Sequence, residues 1–170
     1  EHGHWTPFSH CSIQFKIDAP IFVARQLQKH QVGLAWNEVS RRYVDNEPEF
    51  FSPDVWRRRA EDKKQGSMSE PIASQSIAYS IMKEAYDTCL KAYKRLLKMG
   101  VCPEQARLVI PQSMFTSWYW SGSLYAFSRV CNLRLKEDAQ EETRDVAQRI
   151  NDHCAVEFPL SWKNLVKEDK

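Results

Sequence analysis

Apolar residues recur every three to four positions in the middle of the chain, and this stretch constrains the fold more than any other. The periodic positions are Ile77, Ile81, Ala85, Cys89, Ala92, Leu96 and Met99. This spacing predicts one face of a long α-helix. Ser69 is the predicted N-cap, Pro71 lies in the first turn, and Gly100 ends the helix. Three tyrosines of this helix are interpreted as core or rim aromatics rather than cofactor contacts: Tyr79, Tyr86 and Tyr93.

A strand followed by a short helix is predicted near the beginning of the chain. Apolar and polar residues alternate from Ser12 to Asp18, which is the period of a half-buried strand. A helix then runs from Pro20 to about His30, with an apolar face formed by Ile21, Ala24 and Leu27.

Two more substantial helices are predicted beyond Gly100, after a short helical turn that begins at Pro103. The first runs from about Ser121 to Leu133. The second follows Asp138 and Glu141, which resemble a capping box. The apolar stripe of the second contains Ala139, Thr143, Val146, Ala147, Ile150 and Cys154. Helices therefore dominate an α+β mixture.

The segment from Asp45 to Pro71 lacks a regular pattern. It contains Pro48, Pro53, the charged run from Arg57 to Lys64, and Gly66. These residues predict a loop region, which is either a solvated excursion or a flap over an active site. A chain of 170 residues is expected to form one domain, residues 1–170.

Composition excludes several classes of function. The 24 basic and 22 acidic residues nearly balance, so the net charge of +2 favours neither a nucleic-acid partner nor a membrane surface. No apolar run approaches the roughly 20 residues that span a bilayer. The five cysteines show no metal-ligand spacing and are interpreted as reduced, mostly buried thiols of a cytosolic protein: Cys11, Cys89, Cys102, Cys131 and Cys154. Because the chain begins at Glu1 without a methionine, a missing N-terminal segment is expected.

Polar residues form three groups with candidate chemistry. In the first, which spans Gln26 to Gln31 and Asn37 to Tyr43, an extended backbone would align Glu38, Ser40 and Arg42 for a sugar phosphate. The alternative, favoured by spacing alone, is a helix with an exposed Glu38–Arg42 ion pair. The second is a single arginine, Arg107, before an apolar segment that ends at Pro111. The third contains Arg129 and Arg134, which would diverge by about 140° on a helix and need not serve one ligand.

Taken together and in order, these groups resemble the flavin-dependent thymidylate synthase family along nearly the whole chain. The family signature is Arg-His-Arg followed shortly by Ser-x-Asn-Glu-x-Ser-x-Arg-Tyr, and residues 37–43 keep its second half. The resemblance also covers His4-Trp5-Thr6-Pro7-Phe8, Pro20 to Gln26, Ala106-Arg107 to Pro111, Leu133-Arg134 and Ala139-Gln140. Family members usually have several dozen further residues before the first of these blocks.

The resemblance implies a fold and a reaction. The fold is that of the thymidylate synthase complementing proteins, a small, mostly antiparallel sheet flanked by long helices. The reaction converts dUMP to dTMP, with FAD as cofactor, methylenetetrahydrofolate as carbon donor and NADPH as reductant. No protein nucleophile and no metal are required, and the sites form where subunits of a cytoplasmic homotetramer meet.

The resemblance also implies a role for each matching residue. Arg134 is the candidate catalytic residue, because it corresponds to the arginine that lies against the uracil and favours its ionised form. The implied dUMP-binding residues are Gln26, Lys29, Glu38, Ser40, Arg41, Arg42, Arg107 and Arg134. The implied FAD-binding residues are Thr6, Lys29, His30, Gln31, Glu38, Ser123, Tyr125 and Arg129, and His4 falls near the folate.

Several positions depart from the family pattern. Lys29-His30-Gln31 replaces Arg-His-Arg, and Ala35 replaces the signature serine. Arg129 stands where asparagine is common, and Asp138 where histidine is common. We hypothesise that Arg129 supplies the positive charge that Gln31 has lost. These changes favour a viral or otherwise divergent branch, for which the cytoplasm would be that of the host.

Two other functions remain open at this point. The same site could install a hydroxymethyl group or accept dCMP in place of dUMP. Alternatively, the chain could be a catalytically silent nucleotide-binding or flavin-binding paralogue. Retention of Arg134, Arg107, Arg42, Ser40 and Glu38 favours an enzyme.

Overall fold

The computed structural model describes residues 4–60 and 67–167, which form an α+β domain with two small antiparallel sheets. The strands are β1 (Ser12–Pro20), β2 (Leu34–Glu38), β3 (Arg57–Arg59), β4 (Ser67–Pro71) and β5 (Phe115–Ser123). The helices are α1 (Ile21–Leu27), α2 (Gln75–Lys98), α3 (Pro103–Ala106), α4 (Leu124–Arg134), α5 (Glu141–Glu157) and α6 (Pro159–Leu165). Two 3₁₀ turns cover Thr6–Ser9 and Arg107–Val109.

The main sheet has the order β1-β5-β2, with β5 antiparallel to both neighbours. Side chains alternate between its two faces, and the inner face carries the large apolar residues. These are Ile13, Phe15, Ile17, Leu34, Trp36, Trp118 and Trp120. They pack against buried residues of α1, α4 and α5, among them Leu27, Phe127 and Ile150. The core therefore lies between this sheet and the three helices, and the predicted strand at Ser12 is confirmed.

Strands β2 and β5 approach each other most closely at Gly122. A Cβ atom at this position would lie 2.5 Å from Leu34 Cδ2 and 2.6 Å from the carbonyl oxygen of Gly33. Gly33 itself has a φ of 76°, which an L-residue rarely adopts, and it forms the turn that leads into β2. Both glycines are therefore required where the chain enters the sheet.

Helix α2 is the long helix predicted from the sequence, and its tyrosines face the protein. The Tyr86 hydroxyl donates to the backbone oxygen of Phe51 at 2.7 Å, and the Tyr79 hydroxyl contacts the backbone oxygen of Pro53 at 2.6 Å. Tyr93 is fully buried. The apolar stripe used to predict the helix lies partly on the opposite, open side, because Ile77 and Ile81 are 60% and 63% exposed.

Some predicted helix boundaries are wrong. Ser69 belongs to β4, so α2 begins at Gln75, whereas it ends at Lys98, just before Gly100, as predicted. Gly100 has a φ of 84°, and the amide of Val101 bonds back to the oxygen of Leu96. Helix α1 ends at Leu27, because the chain turns there and the amide of His30 donates to the oxygen of Leu27.

The C-terminal predictions also need correction. Residues 121–123 continue β5 rather than starting a helix, and α4 begins at Leu124. Helix α5 begins after Gln140 without a side-chain cap, so Asp138 does not form the predicted capping box. Helix α6 was not predicted. Its Trp162 is buried, and the indole nitrogen donates to Asn151 at 2.8 Å.

The predicted loop between Asp45 and Pro71 contains regular structure. Strands β3 and β4 pair with each other, and Phe50 forms an isolated bridge with Met114. The part of the charged run from residue 61 to residue 64, and Gly66, lie outside the described residues. The prediction of a loop region is therefore wrong for residues 57–59 and 67–71, which form strands.

The cysteines are all free, but only Cys131 and Cys154 are buried. Burial raises the pKa of both thiols, that of Cys154 to about 12. The prediction of mostly buried thiols is thus wrong for Cys11 and Cys102, which are exposed. Among the described residues, no helix is both long and apolar enough to cross a membrane.

Candidate active site

Arg134 ends α4 with its guanidinium fixed by two contacts from the segment after β1. Its Nε donates to Nε2 of His30 at 3.0 Å, and its Nη2 donates to the backbone oxygen of Gln26 at 3.2 Å. Partial burial lowers the pKa of Arg134, but an arginine keeps its charge throughout the physiological range. The structure therefore brings Arg134 into contact with two predicted site residues that lie more than a hundred positions before it in the chain.

His30 accepts a hydrogen bond from Arg134, so its Nε2 must be unprotonated. Burial, then the charge of Arg134, then that of Arg129 lower the pKa of His30 from 6.5 to about 4. The imidazole is consequently neutral at physiological pH, with its proton on Nδ1. Although Arg129 and Arg134 diverge along α4, the charges of both lower the pKa of the same histidine.

The stability of the protein should fall as the pH is lowered from 6.5 to about 4. In this window the unfolded state binds a proton on His30 that the folded state excludes, because the folded pKa is the lower one. Urea unfolding of the flavin-free protein between pH 7 and 4.5 measures the effect. His30→Gln retains an acceptor for Arg134 but does not titrate, so its stability should fall less over this range. Parallel profiles for the two proteins would contradict the expectation.

The other end of α4 carries several predicted FAD-binding residues. Ser123 caps the helix by accepting from the amide of Ala126 at 3.1 Å. Tyr125 stacks on Trp5, with ring centroids 5.0 Å apart, and Trp5 is half exposed. Thr6 begins the 3₁₀ turn that packs on α4, two positions after His4. This end of α4 therefore presents hydroxyl groups and an accessible aromatic surface side by side.

A second group of predicted residues lies at the far end of β2. Glu38 closes the strand, where its carboxylate accepts from Thr116 at 2.8 Å and from the indole of Trp36 at 3.2 Å. The Ser40 hydroxyl accepts from the backbone amide and the Nε of Arg42. The chain is extended up to Glu38 and turns at residues 41–43, so the predicted alternative of a helix with a Glu38–Arg42 ion pair is wrong.

The remaining predicted residues form no hydrogen bond with Arg134 in the described part of the chain. Arg41 donates to the backbone oxygen of Asn46 at 2.6 Å, and Arg107 donates to that of Glu104 at 3.2 Å. Lys29 and Gln31 are exposed on either side of His30. The length of β2, about 13 Å between Leu34 and Glu38 at 3.3 Å per residue, separates the His30 group from the Glu38 group.

A cavity of about 550 Å³ opens beside Arg134. Its lining includes Gln26, Arg134, Asp138, Gln140 and Arg57. Arg57 and Gln140 were not predicted as site residues. Arg57 stood in a charged run, which is usually a solvated surface, and only the pairing of β3 with β4 brings it to this cavity. Gln140 lies within a block that carries the resemblance, which was the available signal. Among the described residues, no cluster of three or more potential metal ligands occurs.

Comparisons with known proteins identify the family of this chain. The family model described as "Thymidylate synthase complementing protein" matches residues 1–160, and the chain belongs to this family. A flavin-dependent thymidylate synthase from Thermosipho africanus is 36% identical over 98% of this chain and 73% of the relative. That from Thermus thermophilus is 36% identical over 95% of this chain and 58% of the relative.

A solved structure is similar as well. The UMP/dUMP methylase PolB from Streptomyces cacaoi, bound to 5-Br UMP, superposes with a TM-score of 0.86 at 27% identity. The match covers 94% of this chain and 76% of PolB. The protein is thus an enzyme of the flavin-dependent thymidylate synthase type, and the expected fold is confirmed.

Proposed function

We propose that this enzyme methylates dUMP to dTMP with bound FAD, taking the carbon from methylenetetrahydrofolate and reducing equivalents from NADPH. The observation that carries the proposal is the Arg134 guanidinium, held by neutral His30 and the Gln26 carbonyl beside a cavity. In the described part of the chain, Nη1 of Arg134 has no protein partner. It is therefore available to a ligand, and its permanent charge would favour the ionised uracil.

The residues around α4 fit a flavin by the chemistry of their donors. FAD has an anionic pyrophosphate, which Lys29 and Arg129 can meet, and flat rings, which the accessible Trp5–Tyr125 stack can contact. Thr6, Gln31 and Ser123 add polar groups, and His30 holds Arg134. When bound, the flavin supplies the redox chemistry of the reaction.

If Arg129 supplies the charge lost at Gln31, Arg129→Asn should retain less FAD after gel filtration, and unchanged retention would refute this compensation.

The nucleotide phosphate requires residues from the second group. Arg42, Arg41 and Arg107 can hold a phosphate through paired donors, and Ser40 can donate a hydroxyl. Within one chain Arg41, Arg42 and Ser40 follow β2 and are separated from the Arg134 cavity by the length of that strand, and Arg107 does not line the cavity. We propose that a neighbouring subunit supplies them, together with Glu38, so that a homotetramer forms complete sites at its interfaces. His4 would then lie beside the folate, and the assembly would act in the cytoplasm.

The exposed apolar stripe of α2 supports assembly, because a solvated helix rarely presents isoleucines such as Ile77 and Ile81 on one open face. Burying one isoleucine contributes about 1.5–3 kcal/mol. Ile81→Lys should therefore dissociate the tetramer, as measured by light scattering on a sizing column. Activity, measured as turnover, should be lost with it. Ser80→Lys places the same charge about 100° around the helix and should leave the tetramer intact. An intact tetramer in Ile81→Lys would exclude this face of α2 as an interface.

The first experiment is a visible absorption spectrum of the purified protein without oxygen. NADPH should bleach a flavin spectrum, and dUMP with methylenetetrahydrofolate should restore it as dTMP forms. If the protein binds no flavin even with excess FAD, the proposal fails and a silent paralogue becomes the better description.

A second candidate substrate is UMP, because PolB is described as a UMP/dUMP methylase. Product analysis by mass spectrometry with dUMP, UMP and dCMP separates these options. The added mass distinguishes a methyl from a hydroxymethyl product. dUMP remains the proposed substrate if its kcat/KM is the highest of the three.

A further inference from the structure

A chain of hydrogen bonds runs from Arg57 to Gln26 along the wall of the Arg134 cavity. Arg57 donates from Nη2 to Glu142 at 2.7 Å, and the amide nitrogen of Gln140 donates to the other oxygen of Glu142 at 2.9 Å. The amide nitrogen of Gln26 in turn donates to the amide oxygen of Gln140. Arg134 closes the chain by donating to the backbone oxygen of Gln26.

Arg57 anchors the chain at its outer end. Besides Glu142 it contacts Glu141 through Nη1 at 3.1 Å and Ser67 through Nε at 2.8 Å. Only 18% of its side chain and 14% of that of Glu142 are exposed, whereas 47% of that of Glu141 is exposed. Because Glu142 is the better shielded partner, its contact with Arg57 is less weakened by solvent.

Glu142 determines which way the two amides point. Burial alone would raise the pKa of Glu142, but hydrogen bonds from its own backbone amide, Arg57 and Gln140, with the charge of Arg57, lower it instead. An ionised carboxylate can only accept, so Gln140 must turn its nitrogen toward Glu142 and its oxygen toward Gln26. Gln26 must then turn its nitrogen toward Gln140, which leaves its Oε1 without a hydrogen-bond donor among the described residues.

We propose that Glu142 and Gln140 are positioning residues that fix Gln26 with its amide oxygen presented to a hydrogen-bond donor of the bound nucleotide. This inference rests on the proposed function, since it assumes that a pyrimidine nucleotide occupies the cavity. Two groups of dUMP offer the required donor: the ring N3–H while the uracil is neutral, and the 3′-hydroxyl whether or not the uracil is ionised. Neither Glu142 nor Gln140 touches the nucleotide in this arrangement. Both act through Gln26.

Glu142→Gln tests the relay without changing the shape of the side chain. A glutamine at this position can donate as well as accept, so the orientation of Gln140 and Gln26 is no longer dictated. Affinity of the flavin-loaded protein for dUMP, measured by calorimetry, should fall about tenfold, which corresponds to about 1.4 kcal/mol. Glu141→Gln is the matched control. It removes a charged partner of the same Arg57 at the neighbouring position, but in the described part of the chain the Glu141 carboxylate accepts no hydrogen bond from the Gln140 side chain.

Two analogues identify the donor and distinguish the relay from a general loosening of the site. If Gln26 recognises the ring N3–H, the loss of affinity caused by Glu142→Gln should be smaller with N3-methyl-dUMP than with dUMP. If Gln26 recognises the 3′-hydroxyl, the loss should be smaller with 2′,3′-dideoxyuridine monophosphate. Gln140→Met, which leaves the Arg57 ion pairs intact, should reproduce the loss if Glu142→Gln does not fold. The relay is overturned if Glu141→Gln and Glu142→Gln weaken dUMP binding equally. It is also overturned if the loss of affinity caused by Glu142→Gln is as large with each analogue as with dUMP. Failure of the unaltered protein to bind dUMP would instead refute the proposed function and, with it, the relay.

Discussion

Replacing Arg134 by lysine should lower the rate of thymidylate formation by about 10²- to 10³-fold, the usual cost of losing one preorganised charged donor. The guanidinium has nitrogens for His30, for the Gln26 carbonyl and for a ligand at the same time. A lysine has a single nitrogen at the end of a flexible stem, so it cannot hold all three contacts in a fixed plane. Turnover with saturating dUMP measures the effect.

Arg134→Lys, which conserves the charge, needs a control substitution elsewhere in the protein. Arg149 is exposed on α5, and Arg149→Lys should leave turnover within about twofold. The flavin spectrum of Arg134→Lys should be retained, because the loss is expected in the chemical step. If Arg134→Lys turns over at the normal rate, Arg134 has no catalytic role and the assignment of the cavity fails.

Replacing Gly122 by alanine should lower the free energy of unfolding by about 2–3 kcal/mol. The added methyl group would lie 2.6 Å from the backbone oxygen of Gly33, so β2 or β5 must move. In a chain of this length, this loss corresponds to a fall in melting temperature of about 4–12 °C. Scanning calorimetry of the flavin-free protein measures it.

Gly100→Ala provides the contrast for this variant. Nothing lies within 4 Å of a Cβ at Gly100, so its cost comes only from the positive φ and should be about 1 kcal/mol. If Gly122→Ala costs no more than Gly100→Ala, the close approach of β2 and β5 does not limit stability.

The elements that the sequence predicted well are those with a strong local signal. Alternation identifies β1, and an apolar period with a terminal glycine identifies α2 and its end. Strand β5 lacked such a signal, because Phe115 to Trp120 is aromatic on both faces and the following Ser-Gly-Ser reads equally well as a helix start. Pairing with β1 and β2 decides its conformation, and that information lies elsewhere in the chain.

The candidate site was predictable only in part, for a related reason. The resemblance identified Arg134, His30 and Gln26, but no local pattern shows that the first contacts the other two. The Arg57–Glu142–Gln140 chain was missed, because Arg57 lies 85 positions before Glu142 and each member taken alone resembles a surface residue. The fold joins them by pairing β3 with β4 against the start of α5.

The position of β5 at the centre of the sheet also determines when the protein can fold. Residue 12 of β1 pairs with residue 123, so about 100 residues intervene between partner strands. Closing so large a loop slows folding, and contacts this distant are typical of slow-folding topologies. During synthesis, β1 and β2 must leave the ribosome and remain unpaired until β5 follows. Helix α2, whose hydrogen bonds are local, can form in that interval and reduce the length of flexible chain that must be closed.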